Sequence, residues 1–363
     1  MPRKLQHNAV QLLLDSEHLV HDNLSGAAAC GDVLWVAGDE AAGLDRLLRQ
    51  PESNDGVLRF LADGHYPLAD FLDLPDAANV EADIEGLAIA DGYLWLVGSH
   101  GLKRKAPKPE RSTADNLARL ATVGSDGNRC LLARIPLQDD ASGQPQLARQ
   151  TQDGRSAARL KGKKKSNELT ALLAEDAQLA PFMAIPGKDN GFDIEGLAVC
   201  EQRLLLGLRG PVLRGWSCVL EIRVEERQGQ LRLVPLADDG PMYRKHFLPL
   251  AGLGVRDLHF DGDDLLILAG PTMVLDGAIR VFRWQDARRA LAQQPAQDVA
   301  SLHWDGVQEL LVLPHGKGQD RAEAICRLPA HWAGEDSWLV LYDAPSAARK
   351  PRPGIVCGDL LQR

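Results

Sequence analysis

The chain reads as all-β, a β-propeller of five blades. Two observations carry this: one short acidic segment recurs, and each copy opens the same strand–turn–strand pattern. Asp83-Ile84-Glu85-Gly86-Leu87-Ala88 precedes an apolar run at 93–97, and Asp193-Ile194-Glu195-Gly196-Leu197-Ala198 precedes one at 204–206. Weaker copies keep the frame. Ten residues after Ser25, Glu85, Glu195 and Arg256 lie Trp35, Trp95, Leu205 and Leu266, each inside an apolar run. A fifth copy, around Glu323, reaches Trp338-Leu339-Val340-Leu341-Tyr342 after a five-residue insertion. The anchors are 60, 110, 61 and 67 residues apart.

Taken in order, a strand over Val10–Leu14 completes the last blade, closing the ring and removing an exposed edge. Each anchor strand turns through Gly or Asp, as in Cys30-Gly31-Asp32, Ala90-Asp91-Gly92 and Asp261-Gly262-Asp263-Asp264. Outer strands follow at 117–121 and 130–135, at 218–224 and 231–234, and at 278–283 and 307–313. A lone four-stranded sheet cannot bury both faces, so such units must stack on one another. The 110-residue gap breaks the rhythm. It holds the basic runs Lys103-Arg104-Lys105 and 161–165 and a helix expected over 167–179, capped by Ser166. We read one domain over 1–363 with a helix-containing insertion around 150–185, the stretch 103–190 including a basic loop. A sixth blade hidden in the gap, and the antiparallel repeats of a sandwich, are the alternatives.

Composition narrows the class. Hydrophobic residues make up 45% of the chain, enough for a sizeable core. A net charge of -9, from 41 basic and 50 acidic residues, weighs against nucleic-acid binding. The start shows no secretory apolar region and no run approaches the ~20 apolar residues a membrane span needs, so no membrane and a cytoplasmic location are expected. Six cysteines without a C-x-x-C pair argue against a disulfide framework or a zinc site. G-x-S-x-G, H-E-x-x-H, P-loop and G-x-G-x-x-G patterns are absent.

The chemistry follows from the frame. First strands of propeller blades line the central channel, so Glu85, Glu195 and Glu323 should converge at its mouth, with Asp83 and Asp193 two residues earlier on the same strand face. Converging carboxylates repel one another unless a cation stands among them. Calcium, which takes several oxygen ligands, is one solution. Arg256-Asp257, at the fourth anchor, offers a salt-bridge network as the other. The second strands end at Asp39-Glu40, Ser99-His100, Arg209-Gly210, Gly270-Pro271 and Tyr342-Asp343, and Lys188-Asp189-Asn190-Gly191 should overhang the third anchor. His246, His259, His303 and His315 show no ligand spacing.

The run 188–198, the Arg209-Gly210-Pro211 turn, and Glu323 with Leu341-Tyr342-Asp343 resemble the bacterial family catalogued as domain of unknown function 3616, over about residues 20–345. More distantly, the chain is similar to propellers of the phytase-like esterase group. That resemblance implies glutamates at the channel mouth, calcium in the phytase-type members, and six blades.

The functional expectation is a propeller that binds a small anionic or metal-bridged ligand at the channel mouth and hydrolyses a phosphate or ester. Calcium held by Glu85, Glu195 and Glu323 would activate water, Arg209 and Lys188 would stabilise developing charge, and His100 would carry the proton. Asp83, Asp193, Asn190, Arg256, Asp257 and Asp343 would complete the binding surface. The alternative is a non-catalytic scaffold that meets a protein partner through loop 103–165.

Overall fold

A computed structural model of the chain describes residues 4–14 and 23–362. The chain is mostly β, with 50% of residues in strands and 11% in helices, and its fold is β-propeller-like. Apolar runs separated by residues that accept a left-handed backbone fold into hairpins. Strands β2 (Leu24–Cys30) and β3 (Val33–Gly38) meet across Gly31, φ 57°. β4 (Gly43–Arg49) and β5 (Leu58–Pro67) complete that sheet. The next sheet runs β6 (Ile84–Ala90), β7 (Tyr93–Gly98), β8 (Leu132–Asp139) and β9 (Pro145–Leu147).

The third sheet runs β10 (Asp193–Cys200), β11 (Arg203–Gly210), β12 (Ser217–Arg227) and β13 (Tyr243–Leu248), with the short strand Ala300–Leu302 on its outer edge. The fourth runs β14 (Gly254–Asp261), β15 (Asp264–Gly270), β16 (Ile279–Trp284) and β17 (Val307–Leu313). The last runs β18 (Arg321–Arg327), β19 (Trp338–Asp343) and β20 (Ile355–Gln362), and its outer strand is β1 (Lys4–Leu13), antiparallel to β20. β1 also pairs parallel with β5, joining the last sheet to the first.

The innermost strands β2, β6, β10, β14 and β18 pack each against the next, and β18 returns to β2. Apolar side chains fill every interface around this circuit: Trp35 with Leu94 and Leu96, Val97 with Leu197 and Leu206, Leu205 with Leu258 and Ile267, Leu268 with Ile325 and Trp338, and Leu34 with Leu341. The glycine of the recurring segment makes the close approach feasible. A Cβ on Gly86 would lie 2.9 Å from the Cβ of Leu197, and one on Gly196 would lie 2.9 Å from Leu258 Cγ.

Two sequence expectations change. Residues 117–121 are not a strand but the end of a helix, α1 (Thr113–Ala121), whose Ser112 cap accepts the Asp115 N–H at 3.1 Å. Leu117 and Leu120, three apart, share one face of a helix but would point to opposite faces of a strand, and the Ser cap agrees with the helix. The second helix, α2 (Glu168–Leu173), is much shorter than 167–179, and its cap is Asn167 rather than Ser166. It stops early because the Asp176 carboxylate accepts the N–H groups of Gln178 and Leu179 and pairs with Lys245, which draws the chain out of the helix. No helix among the described residues is long and apolar enough to cross a membrane.

Candidate functional site

The site is built by one repeated irregularity. In every innermost hairpin the ladder skips a residue, and the skipped residue is the anchor: Ser25, Glu85, Glu195, Arg256 and Glu323. A bulged residue has no cross-strand partner, and the strand bends to re-aim its side chain. The five anchors thus share one irregular position in their hairpins. The four charged ones line a cavity of ≈ 260 Å³ at the channel mouth, where Asp83, Asp193, Arg209, Lys188 and Asp343 join them.

Three arginines pair with five of the carboxylates of the mouth. Arg256 Nη1 lies 2.6 Å from Glu323 Oε1 and 3.1 Å from Glu195 Oε2, and its Nη2 donates to the Pro271 carbonyl at 2.9 Å. Arg209 Nη1 lies 2.5 Å from Glu195 and 3.6 Å from Asp193, and its Nε donates to the Thr272 carbonyl. Arg129 bridges Glu81 at 2.7 Å and Asp83 at 2.5 Å. Burial works against the charge of Arg209, yet Glu195 and Asp193 hold its pKa above the ordinary arginine value. The ring of anchors therefore carries a Glu195–Arg256–Glu323 chain of ion pairs on one arc.

The other arc is different. Glu85 is 9% exposed and lines the cavity, and among the described residues it has no hydrogen-bond or ion-pair partner. Burial first, then Asp83, Glu195, Glu323 and Asp39, push its carboxyl well above the usual range. Asp39 is raised to about 7 by burial, then by Asp83 and Asp343, and its Oδ1 is buried without a hydrogen bond. Asp193 Oδ1 is also orphaned. Burial likewise raises Asp343, against the pull of Arg321 3.8 Å away. Lys188 is exposed at the rim, opposes the shifts of Asp39, Asp83 and Asp343, and has no ion-pair partner within reach among the described residues. Pro271, Met273, Val274 and Leu275 form an apolar lip, with Val274 65% exposed.

Three expected site residues lie elsewhere. His100 does not line the cavity. Its Nδ1 lies 2.8 Å from the Gly98 carbonyl, which only a protonated Nδ1 can bond, so Nε2 accepts from Asn167 Nδ2 at 2.7 Å. Both ring nitrogens are thereby used, burial lowers its pKa to about 4, and it pins α2 to β7 instead of carrying a proton. Asn190 accepts the Val212 N–H in a loop beside the mouth. Asp257 takes the place of the segment's glycine. It accepts the N–H groups of Leu258 and Ile325, both at 2.8 Å, and stitches β14 to β18.

Sequence reasoning missed Glu81 and Arg129. Arg129 falls in the 110-residue gap, where no repeat points to it. The residues do not fit a resident calcium: Arg256 and Arg209 occupy the carboxylate faces that an ion would need, and no three His, Cys, Asp or Glu among the described residues form a metal-holding group.

The chain matches, over residues 23–359, the family described as Protein of unknown function (DUF3616). It belongs to that family. None of the curated proteins matches it. Among solved structures it is similar to glutaminyl cyclase of Myxococcus xanthus, with 11% identity over 99% of this chain and 97% of that one and a TM-score of 0.41. It is also similar to arabinanase Arb43A of Bacillus subtilis, at 12% identity over 95% and 93% with a TM-score of 0.39. A third is a putative oxidoreductase (glucose dehydrogenase) of Thermus thermophilus, at 14% identity over 99% of both chains with a TM-score of 0.38.

Proposed function

We propose that this chain is a five-bladed ring whose channel mouth binds a small polar ligand, with Glu85 as the group that engages it. The supporting observation is Glu85 itself. A buried carboxyl without a partner costs stability, and a ligand that supplies the missing partner recovers that cost on binding. The neighbouring Glu195 and Glu323, equivalent in sequence, have arginines, so the vacancy is particular to one blade. At ≈ 260 Å³ the cavity is slightly smaller than the ~300–1,000 Å³ usual for small-molecule sites.

The test is a thermal-shift screen of polyols, sugars, amines, amino acids and short-chain esters against the wild type and Glu85→Gln. A compound that raises the unfolding midpoint of the wild type and leaves the variant unmoved supports the reading. Hits that stabilise both equally refute it. Calcium-dependent hydrolysis is not part of this proposal, because the arginines already balance two of the three glutamates. A second reading, a protein-interaction scaffold, draws on α1: none of its residues is buried, and Leu117 is 63% exposed. Deleting 106–122 would abolish partner capture under that reading and leave small-molecule binding intact.

A further inference from the structure

We infer that the ligand of the channel mouth is a small organic cation, a primary amine or guanidinium on a short apolar body, its head held at Glu85 and Asp39. This rests on the reading of the mouth as a ligand site and adds the ligand's charge. The argument is a census of what is still free. Arg129, Arg209 and Arg256 are each committed to carboxylates 2.5–2.6 Å away. Arg209 and Arg256 also donate to the carbonyls of Thr272 and Pro271. An anion would have to break these buried pairs and then sit beside Glu85, Asp83 and Asp39. Among the buried atoms of the mouth without a hydrogen bond, acceptors outnumber donors: Oδ1 of Asp39, Oδ2 of Asp83 and Oδ1 of Asp193 stand against the single donor Arg256 Nε, and the Glu85 carboxyl adds a further unpartnered group. A donor-bearing cation fits that set.

Two further features agree. Asp39, Asp83 and Asp343 all feel the Lys188 ammonium, yet Lys188 is exposed and pairs with none of them within ion-pair distance, so one cation faces three carboxyls and leaves negative charge for a cationic head to meet. Elsewhere in the cavity lining, Met273, Val274 and Leu275 expose apolar surface that no core cluster uses. A ligand with a charged end and a few methylenes would cover it.

Isothermal titration with cadaverine and with agmatine tests this, with glutarate, 1,5-pentanediol and calcium chloride as comparison probes. The expected result is that at least one amine binds about tenfold or more tighter than glutarate and pentanediol, and that both Glu85→Gln and Asp39→Asn weaken it by about tenfold each. Tighter binding of glutarate, pentanediol or calcium overturns the cation assignment, as does an absence of heat from both amines at about 10 mM. The two readings separate cleanly. Glu85-dependent binding of pentanediol or glutarate would end the cation inference and leave the ligand site standing, whereas amine binding indifferent to both substitutions would end both.

Discussion

Arg256 and Glu323, anchors of adjacent blades and 67 positions apart in sequence, meet through Nη1 and Oε1 at 2.6 Å. Both are the bulged residues of their hairpins, so the pair exists because two ladder irregularities aim at one point. The same nitrogen reaches Glu195 at 3.1 Å, which makes Arg256 the internal counter-ion of two glutamates.

Replacing Arg256 by Ala should therefore leave Glu323 buried without a cation and Glu195 with Arg209 alone. We expect a loss of about 3–5 kcal/mol at neutral pH, the range for breaking one side of a buried pair. The vacated space then holds two carboxylates without their shared arginine, and millimolar calcium should restore part of the loss. Wild-type stability should not respond to calcium. Urea melts with and without calcium check both halves, and a calcium response in the wild type equal to that of the variant would refute the counter-ion role.

His100 separates position from chemistry. Its ring is held by the Gly98 carbonyl and by Asn167, and Asn167 also donates to the Cys130 carbonyl while capping α2. Asn167→Ala should lower stability by about 1–3 kcal/mol through the lost cap and the orphaned imidazole. Ligand affinity at the mouth should be unchanged. A large affinity loss with unchanged stability would place His100 back in the site.

The repeat made the inner strands legible, since Gly86 and Leu197 must meet closely and only a small residue permits it. It also put Glu85, Glu195, Arg256 and Glu323 at one equivalent position, and all four line the cavity. The sequence could not show that each anchor is a bulge, because a one-residue skip leaves no compositional mark. Nor could it show which glutamate lacks a partner, since that depends on how far Arg209 and Arg256 reach across blades. His100 misled because its strand-end position matches that of Arg209 and Asp343, while its left-handed backbone, φ 56°, places it against α2 instead. Residues 117–121 look like a strand only as a short apolar run; the three-residue spacing of Leu117 and Leu120 and the preceding Ser112 both carried the helical signal.

Asp359 joins the two ends of the chain. It accepts both Arg349 Nη1 at 2.6 Å and Nη2 at 3.0 Å, the Tyr342 hydroxyl at 2.7 Å and the Asn8 N–H at 2.9 Å. With β1 as outer strand of the last sheet, Asp359→Ala should leave the buried Arg349 with Asp320 as its one carboxylate, 3.1 Å away, orphan the Tyr342 hydroxyl and loosen the register between Gln6 and Val10, where the ladder already shifts. A cost of about 1–3 kcal/mol is expected, since Arg349 keeps one carboxylate. Hydrogen exchange should accelerate first in 4–13 and 355–362, and uniform acceleration across all sheets would argue against a local latch.

The mouth should make stability fall as pH rises above neutrality. Glu85 has a raised carboxyl pKa, chiefly from burial, and for the same reason Asp39 and Asp193 lie at about 7 and Glu323 at about 8. Between the ordinary carboxylate range near 4 and these values, the folded state binds more protons than the unfolded state, so the stabilisation is complete at low pH and lost as pH climbs through the folded pKa. Buried histidines act in the opposite sense: His100, His259 and His303 are lowered to about 4 by burial, so their contribution is lost as pH falls below about 6.5. Between about pH 7 and 8 those histidines are neutral in both states, and the mouth carboxyls dominate the slope. The unfolding midpoint should therefore drop by a few degrees, at roughly 1–2 °C per kcal/mol for a chain of this size, over that interval. Glu85→Gln should raise the midpoint at pH 8 and flatten the slope, since an amide needs no proton to stay neutral there. Calorimetry at pH 7 and 8 on both proteins decides it, and an equal slope in wild type and variant would show that Glu85 does not titrate within the fold as described.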